Sequence, residues 1–180
     1  LAAQGVSVLV VDREVEMYPL PRAVHFDDEV MRVFQTVGIA DDLLKKVYVN
    51  PGMKFVDEEQ NLLLDWPRPQ EITSHGWNAS YRLHQPDLET LLRQSLEKEA
   101  SAAVLTGFDV TAIHEHDAYI SLSGTTNEGS SKTCKARYLV GCDGANSLTR
   151  RVIGGEMDDL GFEERWLVVD AILKRPRPDL

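Results

Sequence analysis

The stretch Leu1-Ala2-Ala3-Gln4-Gly5-Val6-Ser7-Val8-Leu9-Val10-Val11-Asp12 decides the fold class. Leu-Ala-Ala-Gln followed by Gly has the form of a final helical turn with glycine at its C-terminal stop. Val6 to Val11 is a short, nearly continuous β-branched run, the pattern of a parallel strand buried on both faces. Helix end, glycine, buried strand and then an acid make the second half of a βαβ unit, so an α/β chain is expected. The chain opens inside that turn, and Lys174-Arg175-Pro176-Arg177-Pro178 follows directly on a strand-like run. Both ends read as cut, and the expectation is a piece of a longer protein.

The 180 residues are 43% hydrophobic and 27% charged, with 12 Gly and 8 Pro. These values exclude a collagenous, coiled-coil or disordered chain, and the length suits one domain or parts of two. With 19 basic and 29 acidic residues the formal net charge is −10. An acidic surface repels phosphate backbones, which argues against a nucleic-acid partner or an anionic membrane. No apolar run approaches the roughly 20 residues that span a bilayer. Cys134 and Cys142 form neither a CxxC nor a disulfide framework, and no signal-peptide pattern opens the chain, so a reduced, cytoplasmic protein is expected. No local pattern supplies a base that would make Cys142 a nucleophile.

From Asp28 to Val37, the residues Val30, Val33, Phe34 and Val37 recur at helical spacing, with Gly38 as the stop. Residues 52–84 change character. Strand-like pieces at Met53–Val56, Leu62–Trp66 and Ser80–His84 are broken by Pro51, Pro67 and Pro69, and read as an antiparallel insertion. Gln85-Pro86-Asp87-Leu88-Glu89 starts a helix: Pro fits the first turn and the acids suit the positive end of the dipole. Leu88, Leu91, Leu92 and Leu96 form its apolar stripe. A strand pair is expected over Val104–Ile113 and Tyr119–Leu122, then a loop over Gly124–Lys132, a buried strand over Arg137–Cys142, a short helix through Arg150 and Arg151, and a last strand over Arg165–Leu173.

Two places carry the chemistry. Asp12 closes the first strand, where an acid accepts the ribose hydroxyls of a dinucleotide in open α/β sheets; by itself such an acid is more often a turn former or helix cap. The glycine loop of such a site lies roughly 20 residues upstream of the acid, before Leu1. Gly141-Cys142-Asp143-Gly144-Ala145-Asn146-Ser147 again joins a strand to a helix start, either as an anion-binding loop or as a plain Asp-Gly turn with a Ser cap. Two acid-bearing strand ends suggest one shared site.

The run Tyr138-Leu139-Val140-Gly141-Cys142-Asp143-Gly144-Ala145-Asn146-Ser147-Leu148-Thr149-Arg150 closely resembles the Asp-Gly motif of the single-component FAD-dependent (class A) aromatic hydroxylases. Asp143, Gly144, Ser147 and Arg150 meet that motif, and Thr149 departs from it, where an aliphatic residue is usual. Pro19-Leu20-Pro21-Arg22-Ala23-Val24-His25-Phe26-Asp27-Asp28-Glu29, Tyr81-Arg82-Leu83-His84-Gln85-Pro86-Asp87-Leu88-Glu89 and Arg165-Trp166-Leu167-Val168-Val169-Asp170 resemble further family segments, in order along nearly the whole chain. The strongest likeness is to flavoprotein monooxygenases of the 3-(3-hydroxyphenyl)propionate hydroxylase type.

The resemblance implies an incomplete Rossmann-like FAD-binding domain with an antiparallel β insertion that begins the substrate domain. Residues 1–50 and 85–156 would be the two FAD-binding parts, 51–84 the substrate-side insertion and 157–180 the start of the substrate domain. It implies FAD as cofactor, NAD(P)H as co-substrate, and hydroxylation of a phenolic ring by O2 through a flavin C4a-hydroperoxide. Asp12, with Arg13 beside it, would hold the adenosine ribose. Arg22 would lie near the flavin and pyrophosphate, Gln85 at the phosphate or ribityl part, and Asp143 and Gly144 in a loop serving FAD. The same fold also serves polyketide hydroxylases and epoxidases, and a non-catalytic nucleotide-fold remnant is a further alternative. The family's GxGxxG and its later Gly-Asp motif are not in these residues, so the isolated piece is expected to be inactive. A homo-oligomer of the longer protein is compatible with this reading.

The remaining candidates are weaker. His114 and His116 share a strand side but are too few for a metal site, and no metal is expected. His25, His75 and His84 either touch a substrate pocket or simply pack, and receive no role. Trp66 and Trp77 line an aromatic pocket or pack in the core.

Overall fold

Gly5 ends a 3₁₀ turn over Ala2–Gln4, taking φ 73° and donating its N–H to the Ala2 carbonyl, a left-handed conformation that favours glycine. The computed structural model describes residues 1–169 and 171–175. They divide into two units, Leu1–Arg137 and Tyr138–Leu180.

In the first unit the order is β1 (Val8–Val11), β2 (His25–Asp27), α1 (Asp28–Thr36), α2 (Ala40–Leu43), β3 (Tyr48–Val49), β4 (Gly52–Val56), β5 (Leu62–Pro67), β6 (Ser80–Arg82), α3 (Gln85–Leu96), β7 (Ala102–Leu105), β8 (Phe108–Glu115), β9 (Ile120–Thr126) and β10 (Ser131–Ala136). β1 runs parallel to β7, from Val8 opposite Ala102 to Val11 opposite Leu105. Parallel pairing across a long connection is what the opening stretch predicts. Burial on both faces is not: Leu9 is 45% and Val10 42% exposed. Among the described residues β7 is the one strand beside β1, and a two-stranded ribbon shields little of either face.

The core gathers on one face of the sheet β2-β6-β3. Phe26 stacks on its cross-strand partner Tyr81, with ring centroids 5.3 Å apart, and meets the Phe34 edge, also at 5.3 Å. Asp27 caps α1 by accepting the Val30 N–H at 2.9 Å, one of the orphan donors at a helix start. The expected stripe of α1 is corrected. Met31 and Phe34 are its buried residues, while Val30 and Val33 face solvent. The aromatic pair on the sheet receives Met31 and Phe34, and Val37 packs half-buried against the same core, so tertiary packing keeps Phe34 and Val37 of the expected stripe and turns Val30 and Val33 outward. In α3, which starts at Gln85 with Pro86 in its first turn, Leu88 and Leu91 pack on this core and Leu92 is exposed.

The insertion is partly as expected. β4 and β5 form an antiparallel hairpin with a bulge at Phe55/Val56. The third piece, β6, instead pairs antiparallel with β2 and β3. The tight hairpin satisfies β4 and β5 locally, leaving β6 to complete the sheet at the core.

The expected loop over Gly124–Lys132 is also corrected, because β8, β9 and β10 form an antiparallel meander. Gly124 lies within β9 opposite a bulge in β8, and a Cβ there would sit 2.0 Å from the Asp109 carbonyl oxygen. Close backbone approach, not loop formation, accounts for that glycine.

In the second unit, Ser147 caps α4 (Leu148–Val152) by accepting the Arg150 N–H at 2.9 Å. The strand expected over Arg137–Cys142 is absent. Tyr138 is 83% exposed, and no strand pairs with residues 138–142 among those described; without a partner an apolar run has no ladder to join. The strand expected over Arg165–Leu173 is likewise absent from its described part, for the same want of a partner. Asp170 and residues 176–180 lie outside the described residues. Among the described residues no helix is long and apolar enough to cross a membrane.

Candidate functional site

The segment that leaves β1 is tied down along its length. Asp12 donates its N–H to the Leu105 carbonyl and accepts the Phe108 N–H, both at 3.0 Å. Its Oδ1 accepts the Glu14 N–H at 3.0 Å, the Asx turn expected of an acid in that place. Oδ2 has no hydrogen-bond partner among the described residues. Arg13 forms an exposed ion pair with Glu14 at 3.1 Å, a pair of little energetic weight. Further on, the Glu14 carbonyl accepts the Gly107 N–H at 3.2 Å, and the Thr90 hydroxyl meets Met17 Sδ at 3.9 Å.

At the far end of this segment the Gln85 side chain forms a clamp. Its Oε1 accepts the N–H groups of both Arg22 and Ala23, each at 2.8 Å. Two converging donors set the amide's orientation: the oxygen faces the loop, and Nε2 makes no hydrogen bond among the described residues. The Leu83 N–H, donating to the Val24 carbonyl at 3.0 Å, continues the contact. The Arg22 guanidinium lies 4.1 Å from the centroid of the Tyr18 ring and has no carboxylate in ion-pair reach among the described residues. A cation over an aromatic face keeps its charge available.

The second unit contains Asp143 and Gly144. Asp143 Oδ1 accepts the Ser147 hydroxyl at 2.6 Å, and Oδ2 accepts the Thr149 N–H at 2.9 Å and the Thr149 hydroxyl at 3.2 Å. These donors, Ser147 first, hold the carboxyl at about 2, below its ordinary 3.8, because each stabilises the ionised form. Arg150 donates to the Ala145 carbonyl at 2.6 Å and Arg151 to the Asn146 carbonyl at 2.8 Å. Gly144 has φ 72°. The N–H groups of Gly144, Ala145 and Asn146 donate to no protein acceptor among the described residues. Thr149, the departure from the motif, therefore adds its hydroxyl to the acid that shapes the loop.

Three residues escaped the sequence reading. Tyr18 stacks on Arg22, and Asn50 and Arg82 form a polar knot beside β2. Asn50 is 3% exposed; its side chain donates to the Ser80 hydroxyl at 3.1 Å and accepts from the Gly52 N–H and Arg82 Nε, both at 3.0 Å. Asn50-Pro51-Gly52 is a turn signal, but nothing local marks its asparagine as buried. Of the weaker candidates, His75 pairs with Asp28 at 2.9 Å, His116 contacts the Ser121 hydroxyl at 3.0 Å, and His84 faces Asp87 at 3.2 Å. Trp77 packs at the edge of the core, whereas Trp66 is exposed beneath the Arg68 guanidinium, 4.4 Å from its ring centroid. No group of three or more potential metal ligands occurs among the described residues. Cys134 and Cys142 are free thiols.

Comparison with known proteins gives one consistent result. A family model described as "FAD binding domain" matches residues 1–179. A Rhodococcus jostii protein named "Probable NADH-specific resorcinol 4-hydroxylase" is 40% identical over 183 aligned residues, covering 100% of this chain and 34% of that protein. A Burkholderia vietnamiensis protein named "3-(3-hydroxy-phenyl)propionate/3-hydroxycinnamic acid hydroxylase 1" is 32% identical, covering 95% of this chain and 27% of its own length. The chain thus spans about a third or less of these curated relatives. Among solved structures, a p-nitrophenol 4-monooxygenase from Pseudomonas putida aligns with TM-score 0.75 at 22% identity, over 85% of this chain and 38% of that one. A flavin-dependent monooxygenase solved with FAD and substrate aligns with TM-score 0.75 at 20% identity, over 85% and 28%. At such identities the two structures establish the fold, a Rossmann-like α/β arrangement.

Proposed function

This chain belongs to the FAD binding domain family, and on that premise we propose that it supplies part of the flavin site of an NAD(P)H-dependent monooxygenase that hydroxylates a phenolic ring. The observation that carries the reading is the Gln85 clamp. Arg22 and Gln85, assigned to the cofactor by resemblance alone, lie 63 residues apart in sequence and meet directly at 2.8 Å.

The side chains fit FAD by their chemistry. Asp12 keeps Oδ2 for the adenosine ribose hydroxyls, with Arg13 beside it. Arg22 brings an unneutralised cation to the pyrophosphate, and Gln85 brings the free Nε2 donors to a phosphate or ribityl oxygen. Asp143 has both oxygens engaged within its own loop, so its part is to hold that loop open. The free N–H groups from Gly144 to Asn146 are then the donors toward the cofactor. The chemistry that bound FAD supplies is passage of reducing equivalents from NAD(P)H to O2 and insertion of one oxygen atom into the ring. This chain's residues position the nucleotide; nothing in the reading requires an acid, base or nucleophile from them.

The names of the relatives at 40% and 32% identity support a phenolic substrate over the polyketide and epoxidase alternatives. We assign residues 1–50 and 85–156 to the FAD-binding part, 51–84 to the substrate-side insertion and 157–180 to the start of the substrate domain. The two free thiols support a cytoplasmic location. Its acidic balance supports the absence of a nucleic-acid partner.

The test is flavin uptake by the full-length protein. Quenching of FAD fluorescence on titration, followed by NAD(P)H consumption that a phenol stimulates with matching product formation, is the expected result. A folded full-length protein that takes up no flavin would overturn the reading.

A further inference from the structure

On the face of β2-β6-β3 opposite the core, an open pocket of about 330 Å³ is lined by Val24, His25, Asn50, Gly52, Met53 and Arg82. Cross-strand register creates it. His25 and Tyr48 lie opposite Arg82 on either side, so the three share a face, while Phe26, Tyr81 and Val49 share the core face. The Arg82 side chain is held in place: Nε donates to Asn50 Oδ1 at 3.0 Å and Nη2 to the Gly52 carbonyl at 2.6 Å. Gly52 itself is wedged against β5, where a Cβ would lie 2.3 Å from the Trp66 carbonyl oxygen. The carbonyl that orients Arg82 therefore has little room to shift.

Every acceptor on this guanidinium is neutral. In a chain of net charge −10, Arg82 has no carboxylate within ion-pair distance among the described residues. Nη1 makes no hydrogen bond among them. A pre-oriented, uncompensated guanidinium beside an imidazole, with Val24 and Met53 as apolar walls, matches a planar ring bearing a carboxylate.

We propose that Arg82 is a specificity-determining residue that, with His25, receives the carboxylate of a phenolic acid substrate in this pocket. This rests on the functional reading above and deepens it by naming the substrate class. A phenolic acid is distinguished here from a neutral phenol by the carboxylate alone, because the apolar walls serve both.

The test uses the full-length protein, with calorimetric affinities and steady-state kinetics for 3-(3-hydroxyphenyl)propionate and for resorcinol. Charge-assisted hydrogen bonds of this kind correspond to about 10- to 100-fold in affinity. Arg82→Gln is expected to weaken the acid by about that factor, through KM rather than kcat, with resorcinol moved by less than about 3-fold. Arg82→Lys recovers part of the loss. Val24→Asp, at an exposed wall position outside the Asn50 knot, is expected to weaken both ligands but the acid by about tenfold more than resorcinol, because only the acid meets like charge; this keeps the question decidable if Arg82→Gln fails to fold. Equal loss for both ligands, unchanged affinity for the acid, or no binding of the acid by the wild type overturns the assignment. A full-length protein without flavin overturns the functional reading and this inference together; flavin uptake with unchanged acid affinity in the variants overturns this inference alone.

Discussion

Gln85 holds Arg22 by its backbone, not by its charge: Gln85 Oε1 accepts the Arg22 N–H at 2.8 Å, and the guanidinium is left over the Tyr18 ring. The start of α3 thereby positions a loop that begins at β1, joining two parts of the chain that the insertion separates.

Replacing Gln85 separates its two roles. Gln85→Ala removes the acceptor of two N–H groups and is expected to lower stability by about 1–2 kcal/mol, read from urea unfolding of the full-length protein. Gln85→Glu keeps an acceptor but replaces the amide donors with a negative charge. It should cost little stability and weaken FAD binding by about tenfold or more in a fluorescence titration, since the phosphates are anionic. Equal flavin affinity in Gln85→Glu and wild type would remove Gln85 from the cofactor site.

Asp143 gives a pH signature. Its folded-state carboxyl lies at about 2 against an ordinary 3.8, so its contribution to stability is present above the unfolded value. It fades as pH falls from roughly 4 toward 2. Asp143→Asn should therefore be less stable than wild type at neutral pH, and the difference in urea midpoint should shrink across that interval. A difference that stays constant from pH 6 to 2 would contradict the assigned hydrogen bonds.

The glycines beside Asp143 are not equivalent. A Cβ on Gly141 would lie 2.6 Å from Thr149 Cβ, whereas one on Gly144 meets nothing within 4 Å. Gly141→Ala is expected to destabilise by about 1–3 kcal/mol through overpacking. Gly144→Ala carries only the left-handed backbone strain, about 1–2 kcal/mol. A double-mutant cycle checks the mechanism, because Thr149→Gly should offset most of the Gly141→Ala loss and none of the Gly144→Ala loss.

Asp28 fastens the loop before β6. It accepts the Thr73 hydroxyl at 2.5 Å and meets His75 Nδ1 at 2.9 Å, and these partners, Thr73 first, lower its carboxyl from the ordinary value. The fastening is complete above the ordinary carboxylate range and is lost as pH falls below it. Asp28→Ala should make residues 68–79 the first site of limited proteolysis at neutral pH, with wild type approaching the same pattern in acid.

Local chemistry was legible in the residues themselves. Gly5 and Gly38 stop their turns, Pro86 opens α3, and the Ser147-to-Arg150 spacing announces a capped helix, because each depends on φ, a missing N–H or an orphan donor within one turn. The parallel habit of Val8–Val11 was legible for a similar reason, as β-branched runs suit strands wherever they lie. Its partner and its burial were not.

What the tertiary structure alone decided are the relationships whose energy depends on groups distant in the chain. The stacked Phe26 and Tyr81 took Met31 beside the expected Phe34 and left Val30 and Val33 of the periodic stripe in solvent. β6 joined β2 and β3 because the hairpin beside it was already satisfied, and residues 138–142 remained unpaired for lack of a ladder. The Gln85 clamp and the Asn50–Arg82 knot belong to the same class: a hydrogen bond between residues tens of positions apart leaves no period, spacing or composition behind it, and exists only once the backbone has brought donor to acceptor.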